Sequence, residues 1–192
     1  MKIDLYKAYD SIDWSYIHLV LLKTGLPISI IRWIMSCITT IRYAVIVNGL
    51  PTTFFEAGRG LRQGCALSPM IFILIMDGFS KIMHKVEQNG FIKGFAFSTT
   101  ISSTHSLFVD DMLFFGSLIM NHWFYTHYLL IKFGSVTGLC INKQKSILIY
   151  EYGDMAEISF IAGFLGVIYK TASEGFKYLG YFIKPCSYKN RD

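Results

Sequence analysis

Two adjacent acids, Asp110-Asp111, stand between the apolar runs Leu107-Phe108-Val109 and Met112-Leu113-Phe114-Phe115. Apolar runs this short, broken by a single polar dipeptide, predict a β-hairpin with the acids at its turn. A carboxylate pair left unpaired inside a core carries a large desolvation penalty. The turn must therefore face water or face a cation. A plain turn is one reading, because Asp is turn-prone. The other is a divalent metal site, since hard oxygen ligands at a turn tip suit Mg²⁺.

The rest of the chain supplies the hairpin's surroundings. Asp13 caps a helix starting at Trp14, and Gly25 ends it. Pro27 suits the first turn of a second helix running to about Ile38. Asn48-Gly49, between the β-prone stretches Arg42 to Val47 and Thr52 to Ala57, is a hairpin signal. Ser68-Pro69 opens a long helix to about Gln88, with Ser68 as the cap, and its all-round apolar first turns predict burial. A further helix spans Asn121 to Thr137 and ends at Gly138. Ser146 to Tyr150 and Tyr178 to Ile183 read as late strands. Helices mixed with antiparallel hairpins predict an α+β fold, an antiparallel sheet with helices packed on one face.

Composition narrows the function. The chain has 192 residues, 53% hydrophobic and 16% charged, which suits one folded domain and excludes a disordered linker. Its abundance of Phe and Tyr predicts exposed apolar surface that another element covers. The formal charge of +5 suits a polyanionic partner, although the basic residues are scattered. Cys37, Cys65, Cys140 and Cys186 have no CxxC spacing, so they predict buried free thiols rather than a zinc or redox site. The five histidines lack ligand spacing. No signal peptide is legible, and the longest apolar run, Met70 to Met76, falls short of the roughly 20 residues of a membrane span. A soluble intracellular protein is expected.

Asp4 follows a short apolar start and precedes Leu5-Tyr6-Lys7-Ala8-Tyr9-Asp10. If its strand meets the Asp110-Asp111 hairpin in one sheet, Asp4 and Asp110 hold two metals roughly 3.5–4 Å apart. That arrangement activates a 3′-hydroxyl and stabilises a pyrophosphate leaving group in an in-line displacement. A third segment, Gly58-Arg59-Gly60-Leu61-Arg62-Gln63-Gly64, is glycine-rich enough for close backbone approach to a ligand, and its arginines can meet phosphate. It lacks P-loop spacing, and a plain loop is the alternative.

The ordered series DLYKAYD with Ile12 and Trp14, GLRQGCALSP with Phe72, FVDD, TGLCINKQKS and KYLG resembles the reverse transcriptases of LINE-type (non-LTR) retrotransposons. The resemblance implies a polymerase palm and RNA-directed DNA synthesis, adding deoxynucleotides to a primer 3′ end on an RNA template. It implies two Mg²⁺ ions, with Mn²⁺ as a possible substitute. Asp4 matches the first metal carboxylate, assisted by the backbone carbonyl of Leu5. Asp110 matches the second, and Asp111 is the supporting acid of the metal site, with less direct metal contact. Tyr9 matches the aromatic gate against the nucleotide 2′-hydroxyl, with ordinary core packing as its alternative. Gln63 and Gly64 would line the nucleotide and template pocket, and Arg62 would position phosphate or template. Lys145 matches a lysine proposed to protonate the pyrophosphate; a solvated lysine is the other reading. Tyr178, Leu179 and Gly180 resemble the primer grip.

On this resemblance residues 1–185 are a partial palm domain and 186–192 a tail. Its partners are the RNA template, the DNA primer and the dNTP, together with fingers, thumb or endonuclease regions of a longer polyprotein. Met1 lies three residues before Asp4, so the strand carrying Asp4 is expected to be almost all missing and its carboxylate poorly held. Cys65-Ala66 stands where the family usually has Asp-Pro, and Val109 where alanine is common. These departures motivate the alternative reading, a non-catalytic retrotransposon remnant with at most residual nucleic-acid binding.

Overall fold

The computed structural model describes residues 1–98 and 101–185. Cys186 and the 186–192 tail lie outside the described residues. In chain order the elements are β1 (Lys2–Tyr6), α1 (Ala8–Ser11), α2 (Trp14–Lys23), α3 (Ile28–Thr39), β2 (Arg42–Tyr43), β3 (Ile46–Val47), β4 (Leu50–Pro51), β5 (Phe55–Glu56) and α4 (Leu67–Gln88). Then follow β6 (Phe95–Ala96), β7 (Ser102–Ser103), β8 (His105–Phe108), β9 (Asp111–Phe114), α5 (Met120–Thr137), β10 (Cys140–Ile141) and β11 (Ile147–Tyr150). The last are α6 (Met155–Leu165), β12 (Ile168–Thr171), a 3₁₀ turn (Ala172–Glu174), β13 (Phe176–Tyr178) and β14 (Tyr181–Ile183).

The main sheet runs β12-β11-β1-β9-β8, with β10 also paired to β1. It is antiparallel except for the parallel pair β11 and β12, joined by the α6 crossover. Side chains alternate between its faces. Ile3, Leu5, Met112, Phe114 and Leu148 are buried toward the helices. Phe79 of α4 packs edge-on against Phe114 and tilted against Phe133 of α5. Lys2, Asp4 and Asp111 alternate with those core residues and so point to the opposite face.

Local chemistry explains most elements. The Asp13 carboxylate accepts from Ser15 N to cap α2, and Gly138 closes α5 with a φ of 80°. Asn48 and Gly49 both take positive φ, as a two-residue hairpin turn requires. That hairpin is broken into two short ladders, β3 with β4 and β2 with β5. Residues 178–183 form two strands rather than one, turning at Leu179 and Gly180 with φ of 51° and 83°.

The structure corrects several expectations. The strand carrying Asp4 is not missing: β1 has five residues and lies at the centre of the sheet. Backbone pairing on both edges holds it, and Met1 adds a further rung, its carbonyl accepting from Phe114 N at 2.7 Å. Helix α4 starts two residues earlier than expected, so Ser68 lies inside it; its hydroxyl donates to the Arg62 carbonyl at 2.7 Å instead of capping. The first turns of α4 are buried on one face only, with Met70 and Ile73 exposed on the other. Cys37 and Cys140 are exposed and Cys65 is half-buried, not buried thiols. Among the described residues α4 alone is long and apolar enough to cross a membrane, but Phe72, Ile75, Phe79 and Met83 are buried, as in a core helix.

Candidate active site

Asp4 sits in mid-strand on the open face of the sheet, with Asp111 directly opposite on β9. Asp110 occupies the β8–β9 turn beside it. Val109, the residue before, has a φ of 52°, a region that β-branched residues rarely enter. The Asp110 turn is therefore held in a strained backbone conformation.

The other edge of β1 explains how Asp4 is held. Ile147 pairs with Lys2 and Ile141 with Leu5. Between these rungs the partner strand leaves the ladder as a loop, residues 142–146. Asn142 N donates to the Asp4 carbonyl at 2.8 Å, and Asp4 N donates to Ser146 Oγ at 3.2 Å. Ser146 Oγ in turn donates to the Asn142 carbonyl at 2.7 Å, and the residue is fully buried. The loop thus satisfies both backbone groups of Asp4 and turns Asn142, Gln144 and Lys145 toward its carboxylate side.

Beyond β1 the chain turns sharply at Lys7, whose φ is 45°, into α1. Tyr9 of α1 stacks on Phe72 of α4 with ring centroids 4.9 Å apart. Burial, and then the negative charge of Asp110, push the Tyr9 phenol above its usual pKa. The glycine-rich loop is stitched to α1, to the residue that ends it and to the start of α2. Gly60 N donates to Ile12 O and Leu61 N to Tyr9 O, each at 2.7 Å, and Trp14 Nε1 donates to Gly60 O at 2.8 Å.

These elements enclose a cleft of about 470 Å³ lined by Asp4, Leu5, Tyr9, Gln63, Asp110 and Lys145 together with the loop residues Asn142 and Gln144. A neighbouring compartment of about 350 Å³ adds Gly64 and shares Tyr9, Gln63 and Asp110. The Leu5 side chain is in the core, so only its backbone can serve the cleft. Three expected groups lie off this lining. Arg62 is exposed, and Tyr178, Leu179 and Gly180 form the β13–β14 turn. Asp111 is ion-paired with Lys2 at 3.0 Å.

The chain matches the family described as reverse transcriptase (RNA-dependent DNA polymerase) over residues 1–183. It belongs to the reverse transcriptase family. The palm-like α+β fold is borne out by that match, and the LINE-type resemblance by the retrotransposon relatives with it. A retrovirus-related Pol polyprotein from a type-2 retrotransposable element of Drosophila melanogaster is 25% identical over 189 residues, covering 93% of this chain. A corresponding Pol polyprotein from a type-1 element of Popillia japonica is 29% identical over 114 residues, 59% of the chain. An uncharacterized mitochondrial protein of Arabidopsis thaliana is 37% identical over 67 residues, 34% of the chain. The matched regions span 17% and 18% of the two polyproteins and 55% of the Arabidopsis protein.

At Cys65 the start of α4 favours negative charge. The backbone N–H of Leu67, followed by that of Ser68, draws the thiol below its usual pKa. Sequence reasoning missed Asn142 and Gln144, which line the cleft, and Ser146 and Lys2, which bond the Asp4 backbone and the Asp111 carboxylate. The one available signal was the polar run Asn142 to Ser146 between two β-prone segments, which marks a turn but not what the turn holds.

Proposed function

We propose that this chain carries the nucleotidyl-transfer centre of an RNA-directed DNA polymerase, adding deoxynucleotides to a primer 3′ end on an RNA template. The observation that carries the reading is the convergence of Asp4 and Asp110, 106 positions apart in sequence, on one cleft with Tyr9, Gln63 and Lys145.

The donor set fits a metal shared with substrate. Among the described residues no group of three or more His, Cys, Asp or Glu could hold an ion alone. Mg²⁺ commonly takes one or two carboxylates and completes its shell with water and substrate phosphates. Asp4, Asp110 and the Leu5 carbonyl would hold two Mg²⁺ ions, or Mn²⁺ in their place. When bound, the ions activate the primer 3′-hydroxyl and stabilise the charge of the departing pyrophosphate.

The chain's own groups do the rest. The bonded loop 142–146 fixes the backbone of Asp4, so its carboxylate needs little rearrangement when substrate arrives. Tyr9, braced by Phe72, presents a bulky wall to the sugar and leaves no room for a 2′-hydroxyl. Gln63 and Gly64 line the nucleotide and template side, and Arg62 meets phosphate from the exposed loop. Lys145 lines the cleft together with Gln63 and would give a proton to the pyrophosphate. Tyr178, Leu179 and Gly180 grip the primer end. The partners are then the RNA template, the DNA primer and the dNTP, with fingers, thumb or endonuclease regions of a longer polyprotein. An intracellular site of action, nuclear or cytoplasmic, follows from such substrates.

Primer extension on an RNA template with Mg²⁺ and deoxynucleotides tests this. Synthesis by the folded parent, lost in Asp110→Asn, is the expected result. Nucleic-acid binding without synthesis, weakening steeply with salt, would favour the remnant reading instead.

A further inference from the structure

The ion pair beneath the catalytic turn has a second end. Lys2 Nζ lies 3.0 Å from Asp111 Oδ1 and also donates to the Lys177 carbonyl at 3.1 Å. Lys2 is on central β1, Asp111 opens β9 beside the catalytic turn, and Lys177 lies in β13, whose hairpin is a sheet of its own. One ammonium therefore joins three elements. Both side chains are mostly shielded, at 15% and 23% exposure, which strengthens such a contact relative to a surface pair.

We propose that Lys2 is a positioning residue that couples the β13–β14 hairpin to the Asp110-Asp111 turn, with Asp111 acting as its anchor rather than as a metal ligand. This rests on the nucleotidyl-transfer reading, because it assigns the hairpin to the primer end. The physical need is clear. An in-line displacement loses large rate factors when its reacting groups shift by an ångström. The turn at Val109 is held in a strained conformation, and a separate two-stranded hairpin is marginal alone. A lysine bonding both, two residues from Asp4 on the same sheet face, sets the primer end and the carboxylates in one frame.

Hydrogen exchange on the full chain tests the coupling without requiring activity. In Lys2→Met, amides of Lys177 to Phe182 and of Asp110 and Asp111 should lose protection together, with α4 and α5 unchanged; Lys2→Arg should restore it. Unchanged protection in Lys2→Met would overturn the proposal. If Lys2→Met does not fold, Asp111→Asn, which keeps shape and removes only charge, is read in the same way with the same two outcomes. In primer extension, Lys2→Met should raise KM for primer–template about tenfold, the scale of one charge-assisted hydrogen bond, and leave KM for dNTP unchanged. An equal rise in both would contradict the role at the primer end. A parent that makes no product defeats the nucleotidyl-transfer reading, while the exchange experiment still decides the coupling.

Discussion

Gly60→Ala should unlatch the wall of the cleft, and the structure allows its size to be worked out. A Cβ at Gly60 would lie 2.7 Å from the Asp10 carbonyl oxygen and 2.9 Å from the Asp10 carbonyl carbon and Cα. All three are backbone atoms, so no side chain can swing aside. The φ of 91° adds a strain of about 1–2 kcal/mol for an L-residue. To relieve the clash the loop must lift from α1. It then gives up Gly60 N to Ile12 O, Leu61 N to Tyr9 O and Trp14 Nε1 to Gly60 O. At about 1 kcal/mol net for each, the sum is about 4–5 kcal/mol. With an m-value of about 2 kcal/mol per molar in urea, the midpoint should fall by about 2 M. Gly58→Ala is the internal control, since a Cβ there meets nothing within 4 Å and its φ is ordinary. It should shift the midpoint by less than about 0.5 M. A Gly60→Ala midpoint within that range of Gly58→Ala would refute the reasoning.

Three further outcomes follow from the same geometry. Ser146→Ala removes the acceptor for Asp4 N and the donor to Asn142 O, so it should lower stability by about 1–3 kcal/mol and reduce kcat more than dNTP KM, measured by urea melts and steady-state extension. Tyr9→Ala should admit ribonucleotides, whereas Tyr9→Phe, which keeps the ring on Phe72, should not; competition between dNTP and rNTP in extension reads this directly. Burial of His122, then the charge of the Met1 amine, lowers its pKa to about 4, so the unfolded chain takes up a proton first as the solution is acidified. Its contribution is complete above about pH 6.5 and is lost between there and about pH 4, about 3 kcal/mol in all, so the pH slope of the melting temperature should flatten in His122→Asn.

The parts legible in the sequence were those set by local chemistry. Asp13 as a cap, Gly138 as a helix stop and Asn48-Gly49 as a turn each act through their own backbone. The cleft was legible in its acids, because Asp4 and Asp110-Asp111 are conspicuous between apolar runs. What was not legible depends on tertiary pairing. β1 is short, and its place at the centre of the sheet comes from partners more than 100 positions away. The loop that pins Asp4 exists because β10 and β11 flank it on one strand, which no local pattern reveals. Helix α6 lacks a strong amphipathic stripe, and the parallel β12 follows only from its crossover. Lys2 read as an ordinary terminal lysine, since its two acceptors lie 109 and 175 positions along the chain.

The central claim is that Asp4 and Asp110 act as one site, and counting bound Mn²⁺ by electron paramagnetic resonance tests it most directly. The titration uses the folded chain with a primer–template and a non-hydrolysable deoxynucleotide. The account predicts two ions bound by the parent, with the loss of binding in Asp4→Asn matched by that in Asp110→Asn, while Lys145→Ala keeps both ions. Undiminished binding in either aspartate variant would contradict it.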